Sequence, residues 1–322
     1  MKNASISTIL EDLKISFKFA TKNVLTYLLA LIGVVIVSLL LIVVVAAMIF
    51  IPLFFIMGGF EGLGLYFESF GTTFTPGGVS TIALGSFLFA LPFIAPICVA
   101  VGAMFGIGRE IVESEGARAE GVFTWYKKEF FSLAGGGIVL FLVVLGPLML
   151  GLLAGTAIFG EGFLNLAFIS SGSTSAINSI LFALFTIWIV ISLGMLSLIF
   201  PSIIDGYSVL ESTKRSIRMS IRYFDRVFGV WIAFVLVFLV LTLPTFVMPF
   251  AFSTVNPAAI TPLGGFLIVY MIPAGIILLF LYMPALSIGL TRIYMILTAD
   301  DDDNYGHTVE DEETGPSFIG GV

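Results

Sequence analysis

The long apolar stretches of this chain contain no acidic or basic side chain. Lys, Arg, Asp, Glu and His are all missing from five stretches, which cover residues 23–60, 69–108, 130–160, 162–204 and 227–291. Ionisable groups inside a membrane usually mark proton relays and ion pathways. Their absence from these stretches argues against coupled ion transport.

Residue types that carry catalysis or hold metals are also scarce. The chain has one cysteine, Cys98, and one histidine, His307, so an intramolecular disulfide is excluded. Cys98 lies in an apolar stretch, where a free thiol is more often a small core residue than a nucleophile. No His, Cys or carboxylate pair accompanies it. We therefore predict a protein that is not an enzyme and that has no catalytic residue, metal site or cofactor.

The chain does have hydrophobic length. Hydrophobic residues make up 59% of it and the mean hydropathy is +1.14, well above the balance of a soluble domain. A membrane-spanning helix needs about 20 apolar residues, so the first four stretches each hold one span. The fifth holds two, which the proline-containing segment Ser253–Pro262 divides. We predict an all-α polytopic membrane protein with six spans near 24–57, 81–107, 131–158, 177–204, 227–252 and 263–297.

Positive charge is missing from every second connection. The segments after the first, third and fifth spans have no Lys or Arg, although the chain contains 14 such residues. By the positive-inside rule, both termini are cytoplasmic. The first apolar stretch is too long for a signal peptide, so it should remain as an anchor. We expect a multi-pass protein of the cell membrane.

The net charge of −7 arises at the C-terminal end, where eight of the 21 acidic residues lie between Asp300 and Glu313. A run of like charges is typical of a solvated, disordered tail. We predict one membrane domain over 1–298, followed by a disordered acidic cytoplasmic tail over 299–322. Contact with the basic helices and binding of a cytoplasmic protein are both open as roles for this tail.

A short pattern recurs where the chain enters the first and fifth spans. The two copies match at a constant offset, in the pairs Thr8/Ser208, Glu11/Glu211, Lys14/Lys214, Ser16/Ser216, Lys18/Arg218 and Lys22/Arg222. Ser or Thr followed three residues later by Glu is a capping box, which predicts a helix start in both copies. Apolar residues at helical spacing beside these cations predict amphipathic helices that lie in the membrane surface.

A weaker third copy over Gly121–Phe131 leads into the third span. Three units are therefore predicted, each with a surface helix on the cytoplasmic side and two spans. Such units are parallel repeats, because two crossings return each unit to the same orientation. The surface helices are expected near 6–23, 117–130 and 208–226. The alternative is that any basic helix entering a membrane has this pattern.

The same residues carry a resemblance to a known group. Leu210, Glu211, Lys214, Ser216 and Arg218 follow Pro201 and Asp205-Gly206 and precede an aromatic-rich span. This pattern resembles a broad group of prokaryotic six-helix integral membrane proteins, which includes the membrane domain fused to some glycerophosphodiester phosphodiesterases. The resemblance implies architecture over the six spans. It implies no phosphodiesterase activity, because an acidic tail stands where the catalytic domain would be.

Two sets of charged residues are candidates for function. Arg109, Asp205 and Arg292 end the even-numbered spans on the cytoplasmic side, and three repeats would bring them together as an ion cluster or a gate. Ten further cations on the surface helices are candidates for binding lipid headgroups or a partner. They are Lys14, Lys18, Lys22, Lys127, Lys128, Lys214, Arg215, Arg218, Arg222 and Arg226.

Proline marks the third set of candidates. Pro96, Pro201 and Pro284 lie in the even-numbered spans towards the cytoplasmic side. Proline bends a helix and frees a backbone carbonyl, so these residues are hinge candidates around a central path. Ordinary kinking for packing is the alternative.

Two functions remain open. The first is a non-catalytic accessory or scaffold subunit that engages lipids or proteins through its basic cytoplasmic face and acidic tail. The second is a permease or lipid-translocating protein with a path between proline-bent helices. Membrane lipids are the expected partners, with a protein partner or a second copy of the chain left open. No nucleic-acid partner is expected.

The predicted topology can be tested with reporters. Fusions after Gly59, Ser171 and Pro257 should all report the outside of the membrane, because the connections that contain them lack Lys and Arg. Accessibility labelling in intact cells checks this. A reporter at any of the three sites that is found inside would contradict the assigned orientation.

Overall fold

The computed structural model describes residues 5–62, 64–65, 76–114, 116–159, 176–253 and 260–313. Within these ranges the structure contains helices and no strand. In chain order the helices are α1 (Ile6–Lys22), α2 (Val24–Ile56), α3 (Pro76–Ser114), α4 (Gly121–Lys128), α5 (Phe130–Phe159), α6 (Ala176–Met195), α7 (Ile199–Ile204), α8 (Val209–Arg222), α9 (Phe224–Ser253), α10 (Ile260–Ile277), a π-helical segment (Leu278–Tyr282) and α11 (Met283–Glu313).

In the part of the chain that the structure describes, six helical segments are long and apolar enough to cross a membrane, which confirms the predicted all-α, six-span class. They cover Val24–Ile56, Phe87–Ser114, Phe130–Ile158, Ala183–Ile204, Phe224–Pro244 and Val269–Ala299. Large apolar side chains such as Leu39, Val43 and Leu236 are exposed on these helices. Exposed apolar surface of this extent is unfavourable in water but matches the hydrocarbon of a bilayer.

Two of the spans that contain a hinge candidate are irregular. Span four is interrupted between α6 and α7, at Leu196–Leu198. Span six widens into the π-helical segment directly before Pro284. Proline has no N–H and its ring clashes with the carbonyl four residues earlier, so a local widening accommodates it.

A short helix precedes each odd-numbered span. A single non-helical residue separates α1 from α2, α4 from α5 and α8 from α9, and these residues are Asn23, Glu129 and Tyr223. The three short helices lie within the ranges predicted for surface helices. They are the elements that carry most of the cations.

Only one of the two predicted capping boxes forms. At the start of α8 the backbone N–H and the hydroxyl of Ser208 both donate to the Glu211 carboxylate, and these hydrogen bonds lower the pKa of Glu211 below its usual value. The predicted box at Thr8 and Glu11 is wrong, because α1 begins at Ile6. Ser5 is the cap there, and its hydroxyl accepts the backbone N–H of Thr8.

The chain forms two compact units, where the sequence predicts one membrane domain over 1–298. The first unit comprises residues 1–22, 108–116 and 222–322, and the second comprises 23–107 and 117–221. The amphipathic helix at the start of the chain thus belongs with the last two spans. Local sequence patterns cannot show this, because packing partners distant in the chain leave no spacing signal.

The first unit is built around α1. This helix packs on α9, where Ile9 contacts Gly229 and the Phe17 and Phe234 rings lie 6.0 Å apart. It also packs on α11, where Ser16 lies against Gly289. A glycine at this position lets the two helices approach closely, as small residues do between membrane helices.

The second unit is built around α5. Its Leu133 packs against Gly102 of α3, and Gly136 lies against Ile203 of α7. The Trp188 indole N–H on α6 donates to the Val144 carbonyl of α5 at 3.1 Å. Helix α5 therefore contacts two different spans, the second through α3 and the fourth through α6 and α7.

The last helix extends into the acidic segment. It runs to Glu313, so residues 299–313 are helical where the sequence predicts a disordered tail. Extension of an existing helix avoids the cost of nucleation, which an isolated acidic segment would have to overcome. Residues 314–322 of the predicted tail lie outside the described residues.

Close packing at Gly289 predicts sensitivity to added volume. A Cβ there would lie 2.8 Å from the Ser16 Oγ and 3.0 Å from the Phe234 ring. We expect Gly289→Ala to destabilise the protein by about 1–3 kcal/mol, as overpacking does. Thermal unfolding of the detergent-solubilised protein measures this.

Gly275→Ala is the matched control, because a Cβ at Gly275 has no heavy atom within 4 Å. Alanine favours a helix over glycine by about 0.5–1 kcal/mol, so the control should be neutral or slightly stabilising. Equal effects of the two substitutions would contradict the close contact.

Candidate functional site

The exposed face of α8 carries an ordered row of residues. Leu210, Lys214, Arg218 and Arg222 follow one another at four-residue spacing, and all four are exposed. Residues at this spacing lie on one face of a helix. The opposite face is buried through Ser212, Ser216 and Ser220.

The face of α1 has the same order. Leu10, Lys14, Lys18 and Lys22 are exposed at the matching positions, and Asp12, Ser16 and Ala20 are buried opposite them. Exposed fractions of 58% for Leu10 and 70% for Leu210 show that each row begins with an uncovered apolar side chain. We call these two sets of four the cationic rows.

The match in buried positions continues into the spans. Four buried residues of α1 and α2 correspond to buried residues of α8 and α9 at the offset seen in the sequence, in the pairs Ser16/Ser216, Tyr27/Val227, Ala30/Val230 and Val34/Phe234. In the third copy the corresponding buried residues include Val122, Tyr126 and Leu133. The three segments in which a short helix leads into an odd-numbered span therefore bury corresponding positions, although most of the side chains differ.

The cations of α4 are held differently. Lys127 and Lys128 are exposed. The Lys128 ammonium lies 5.1 Å from the centre of the Trp125 ring and 3.6 Å from the Glu129 carboxylate. A neighbouring carboxylate partly neutralises this lysine.

Two arginines of α8 pack on aromatic rings. The Arg215 guanidinium lies 4.2 Å from the centre of the Tyr207 ring, and Arg222 lies 5.4 Å from that of Tyr223. Guanidinium groups stack on aromatic faces through cation–π attraction. Arg215 is half-buried by this contact, whereas Arg222 remains exposed.

A buried carboxylate binds two arginines in the first unit. Asp12 of α1 accepts hydrogen bonds from Nε and Nη2 of Arg226, both at 3.3 Å, through its Oδ2. Its Oδ1 pairs with Nη1 of Arg292. The Asp12 side chain is 5% exposed, against 11% for Arg226 and 24% for Arg292. We call these three residues the Asp12 cluster.

The Asp12 cluster changes the interpretation of two candidate residues. The sequence makes Arg226 a candidate for binding a lipid headgroup or a partner, and the structure places it in the first turn of α9, paired with Asp12. Removing one partner of a buried ion pair typically costs about 3–5 kcal/mol, because the other charge is left uncompensated. Arg226 is therefore paired with Asp12 and lies outside the cationic rows, and a binding role for it stays a prediction.

The predicted ion cluster of Arg109, Asp205 and Arg292 has separate surroundings in the structure. Arg109 pairs with Glu113 at 2.7 Å along its own helix, and Arg292 pairs with Asp12. Asp205 belongs to the second unit, whereas the two arginines belong to the first. Convergence of the three residues stays a prediction.

Asp12 is not among the candidate residues that the sequence predicts. The signal was present, since Asp12 is an acid placed on the same four-residue row as Ser16 and Ala20, opposite the cations. Its partners lie far away in the chain, so no local spacing connects them.

All three hinge candidates are buried in the structure. Pro96, Pro201 and Pro284 are buried. By contrast, Pro52 in α2, Pro147 in α5 and Pro273 in α10 are exposed. Pro201 lies in α7, directly after the interruption of span four. A hinge role for these three residues stays a prediction.

At the interruption of span four, backbone groups form hydrogen bonds with side chains of α8. The Ser216 hydroxyl accepts the Leu198 N–H at 3.2 Å and donates to the Met195 carbonyl at 2.8 Å. The Ser220 hydroxyl also donates to Met195, at 3.2 Å. Serine side chains thus replace hydrogen bonds that the broken helix lacks, as a membrane interior requires.

Comparison with protein-family models, curated proteins and solved structures finds no match to this chain. The resemblance to the membrane domain fused to some glycerophosphodiester phosphodiesterases therefore stays a sequence-based prediction.

The serine contacts predict a specific loss of stability. Ser216→Ala removes a partner from both Leu198 and Met195, and a buried backbone group left without one costs about 1–3 kcal/mol. We expect a loss of this size in chemical or thermal unfolding of the solubilised protein.

Thr213→Val is the control on the same helix, since the Thr213 hydroxyl bonds only to Val209 of its own turn. It should leave stability nearly unchanged. A Ser216→Ala protein as stable as this control would show that the serine does not support span four.

Proposed function

We propose that this protein is a non-catalytic integral membrane protein that acts as an accessory or scaffold subunit and engages anionic lipids or a partner protein through its basic helices. The observation that supports the proposal most directly is the pair of cationic rows. Each row combines an exposed leucine with three cations on the outer face of a helix that leads into a span.

The arrangement suits the boundary between hydrocarbon and headgroups. An exposed leucine favours the acyl region, while Lys and Arg reach the anionic headgroups on their long side chains. Each cation near an anionic surface contributes about 1 kcal/mol of attraction. Three exposed cations in each row make the two rows comparable binding faces.

We also propose that the three units, each a surface helix followed by two spans, are parallel repeats. Both termini of the chain then lie on the cytoplasmic side. The matched buried positions support common ancestry of the units, because a basic helix alone would not need the same register through the following span. The distribution of Lys and Arg supports the orientation.

The interruption of span four does not favour the alternative of a permease or lipid-translocating protein. Discontinuous helices in transporters present free backbone groups to a substrate. Here Leu198 and Met195 at the interruption have serine partners.

Neutralising one cationic row should reduce the enrichment of anionic lipid. We expect Lys14→Gln, Lys18→Gln and Lys22→Gln together to lower the share of phosphatidylglycerol retained over phosphatidylcholine, since the row loses about 3 kcal/mol of electrostatic attraction at most. Mass spectrometry of lipid that co-purifies from proteoliposomes of defined mixture measures the share.

The control replaces the same three lysines with arginine, which keeps the charge and should preserve the enrichment. A reporter fused after Gly59 checks that neutralisation has not inverted the protein. Equal enrichment in the Gln and Arg variants would contradict the proposed role of the row.

A further inference from the structure

The Asp12 cluster has more positive than negative charge. One carboxylate faces two guanidinium groups, and all three side chains are mostly buried. Buried charges are costly unless each is compensated, so a surplus cation in a desolvated site favours an additional anion.

The two guanidinium groups also have hydrogen-bond donors to spare. Each has five N–H donors in a planar fork. Arg226 directs Nε and Nη2 to Asp12, and Arg292 directs Nη1 to it. Among the residues whose side chains the structure describes, which exclude 300–322, Asp12 is the one acceptor bonded to either group. The remaining donors are open to an anion that approaches from outside, since both arginines retain some exposure.

The sequence indicates the level of the bilayer at which the Asp12 cluster lies. Arg226 directly precedes the charge-free stretch 227–291, and Arg292 directly follows it. Both guanidinium groups therefore lie at the same kind of boundary, where apolar helix gives way to polar surroundings. Headgroup phosphates occupy this level of a bilayer, between hydrocarbon and water.

We propose that Arg226 and Arg292, held in position by Asp12, form a binding site for a phosphate group. A lipid headgroup or free phosphate can supply this group. Planar guanidinium forks match the oxygens of phosphate, and charge-assisted hydrogen bonds of this kind are the strong ones. Asp12 is the positioning residue, because it fixes one edge of each guanidinium and leaves other edges free.

This site differs from the cationic rows. The rows are exposed and separate along their helices, so they attract anionic surfaces without fixed stoichiometry. The Asp12 cluster is desolvated and holds two forks on one carboxylate, which predicts one bound phosphate per chain. One part of this inference rests on the proposed function, namely that a lipid supplies the phosphate.

Titration of the full-length, detergent-solubilised protein tests the site by native mass spectrometry. Dioctanoyl phosphatidic acid should bind saturably at one per chain, whereas dioctanoylglycerol, which has the same acyl chains without phosphate, should not. Arg226→Gln and Arg292→Gln should each weaken binding about tenfold or more, in line with the strength of charged hydrogen bonds. Arg118→Gln is the matched control, because Arg118 is exposed and belongs neither to the Asp12 cluster nor to the cationic rows, and it should leave binding nearly unchanged.

Inorganic phosphate identifies the source of the group. Competition by millimolar inorganic phosphate would show that the site also takes free phosphate, and binding without competition would assign it to a headgroup. Both results support the phosphate site. Equal binding of phosphatidic acid and dioctanoylglycerol would overturn it.

A second measurement avoids variants that fail to fold. Phenylglyoxal modifies accessible arginines, so phosphatidic acid should protect Arg292 of the unaltered protein. Arg118, which is exposed and lies outside the Asp12 cluster and the cationic rows, should remain reactive. Arg292→Lys keeps the charge beside Asp12 but loses the fork, and it should bind phosphatidic acid more weakly. Unchanged reactivity of Arg292 with the lipid present would overturn the proposal.

The two proposals fail in different ways. Loss of one-to-one binding while phosphatidylglycerol enrichment persists would overturn the phosphate site alone. Loss of enrichment upon neutralising Lys14, Lys18 and Lys22 leaves the site intact if phosphatidic acid still binds once per chain.

Discussion

Backbone groups inside a membrane have to find hydrogen-bond partners within the protein, because lipid offers none. This constraint applies at the interruption of span four, where the Leu198 N–H and the Met195 carbonyl need partners from outside their own helix. Ser216 and Ser220 supply the missing bonds from the next helix in the chain. The basic helix α8 is therefore a structural element of the second unit as well as a charged surface, and its two faces have separate roles.

The division between faces recurs in α1, but with different chemistry. Ser16 and Ser216 occupy matching buried positions, whereas Asp12 stands where the other copy has Ser212. Ser212 bonds to the nearby Tyr207 carbonyl, while Asp12 binds two arginines from the end of the chain. The same helical framework thus supports a neutral contact in one copy and a buried ion cluster in the other. The residue at this register position therefore decides whether the buried face of the helix binds a backbone carbonyl or arginine side chains.

Much of the architecture could be predicted because it follows from local physical properties. Apolar length determines the six spans, and the single-residue breaks at Asn23, Glu129 and Tyr223 lie where basic helices meet apolar ones. The candidate site was predictable only in part. Lys14, Lys18, Lys214 and Arg218 lie on exposed faces as their spacing indicates. Arg226 could not be separated from them, since its sequence neighbours are the same but its partner Asp12 is more than 200 residues earlier. Thr8 also resembled a helix cap, although Ser5 was available one turn earlier.

The sequence by itself determined the class of this protein. Hydrocarbon excludes charge, so the positions of charge-free stretches and of Lys and Arg define the spans and predict their orientation without knowledge of any contact. Only the tertiary structure decided which polar residues are partners. Whether Ser216 completes a broken helix, or Asp12 joins Arg226 to Arg292, depends on which helix faces pack together. Packing brings distant segments into contact, and residue spacing along one helix contains no record of its neighbour.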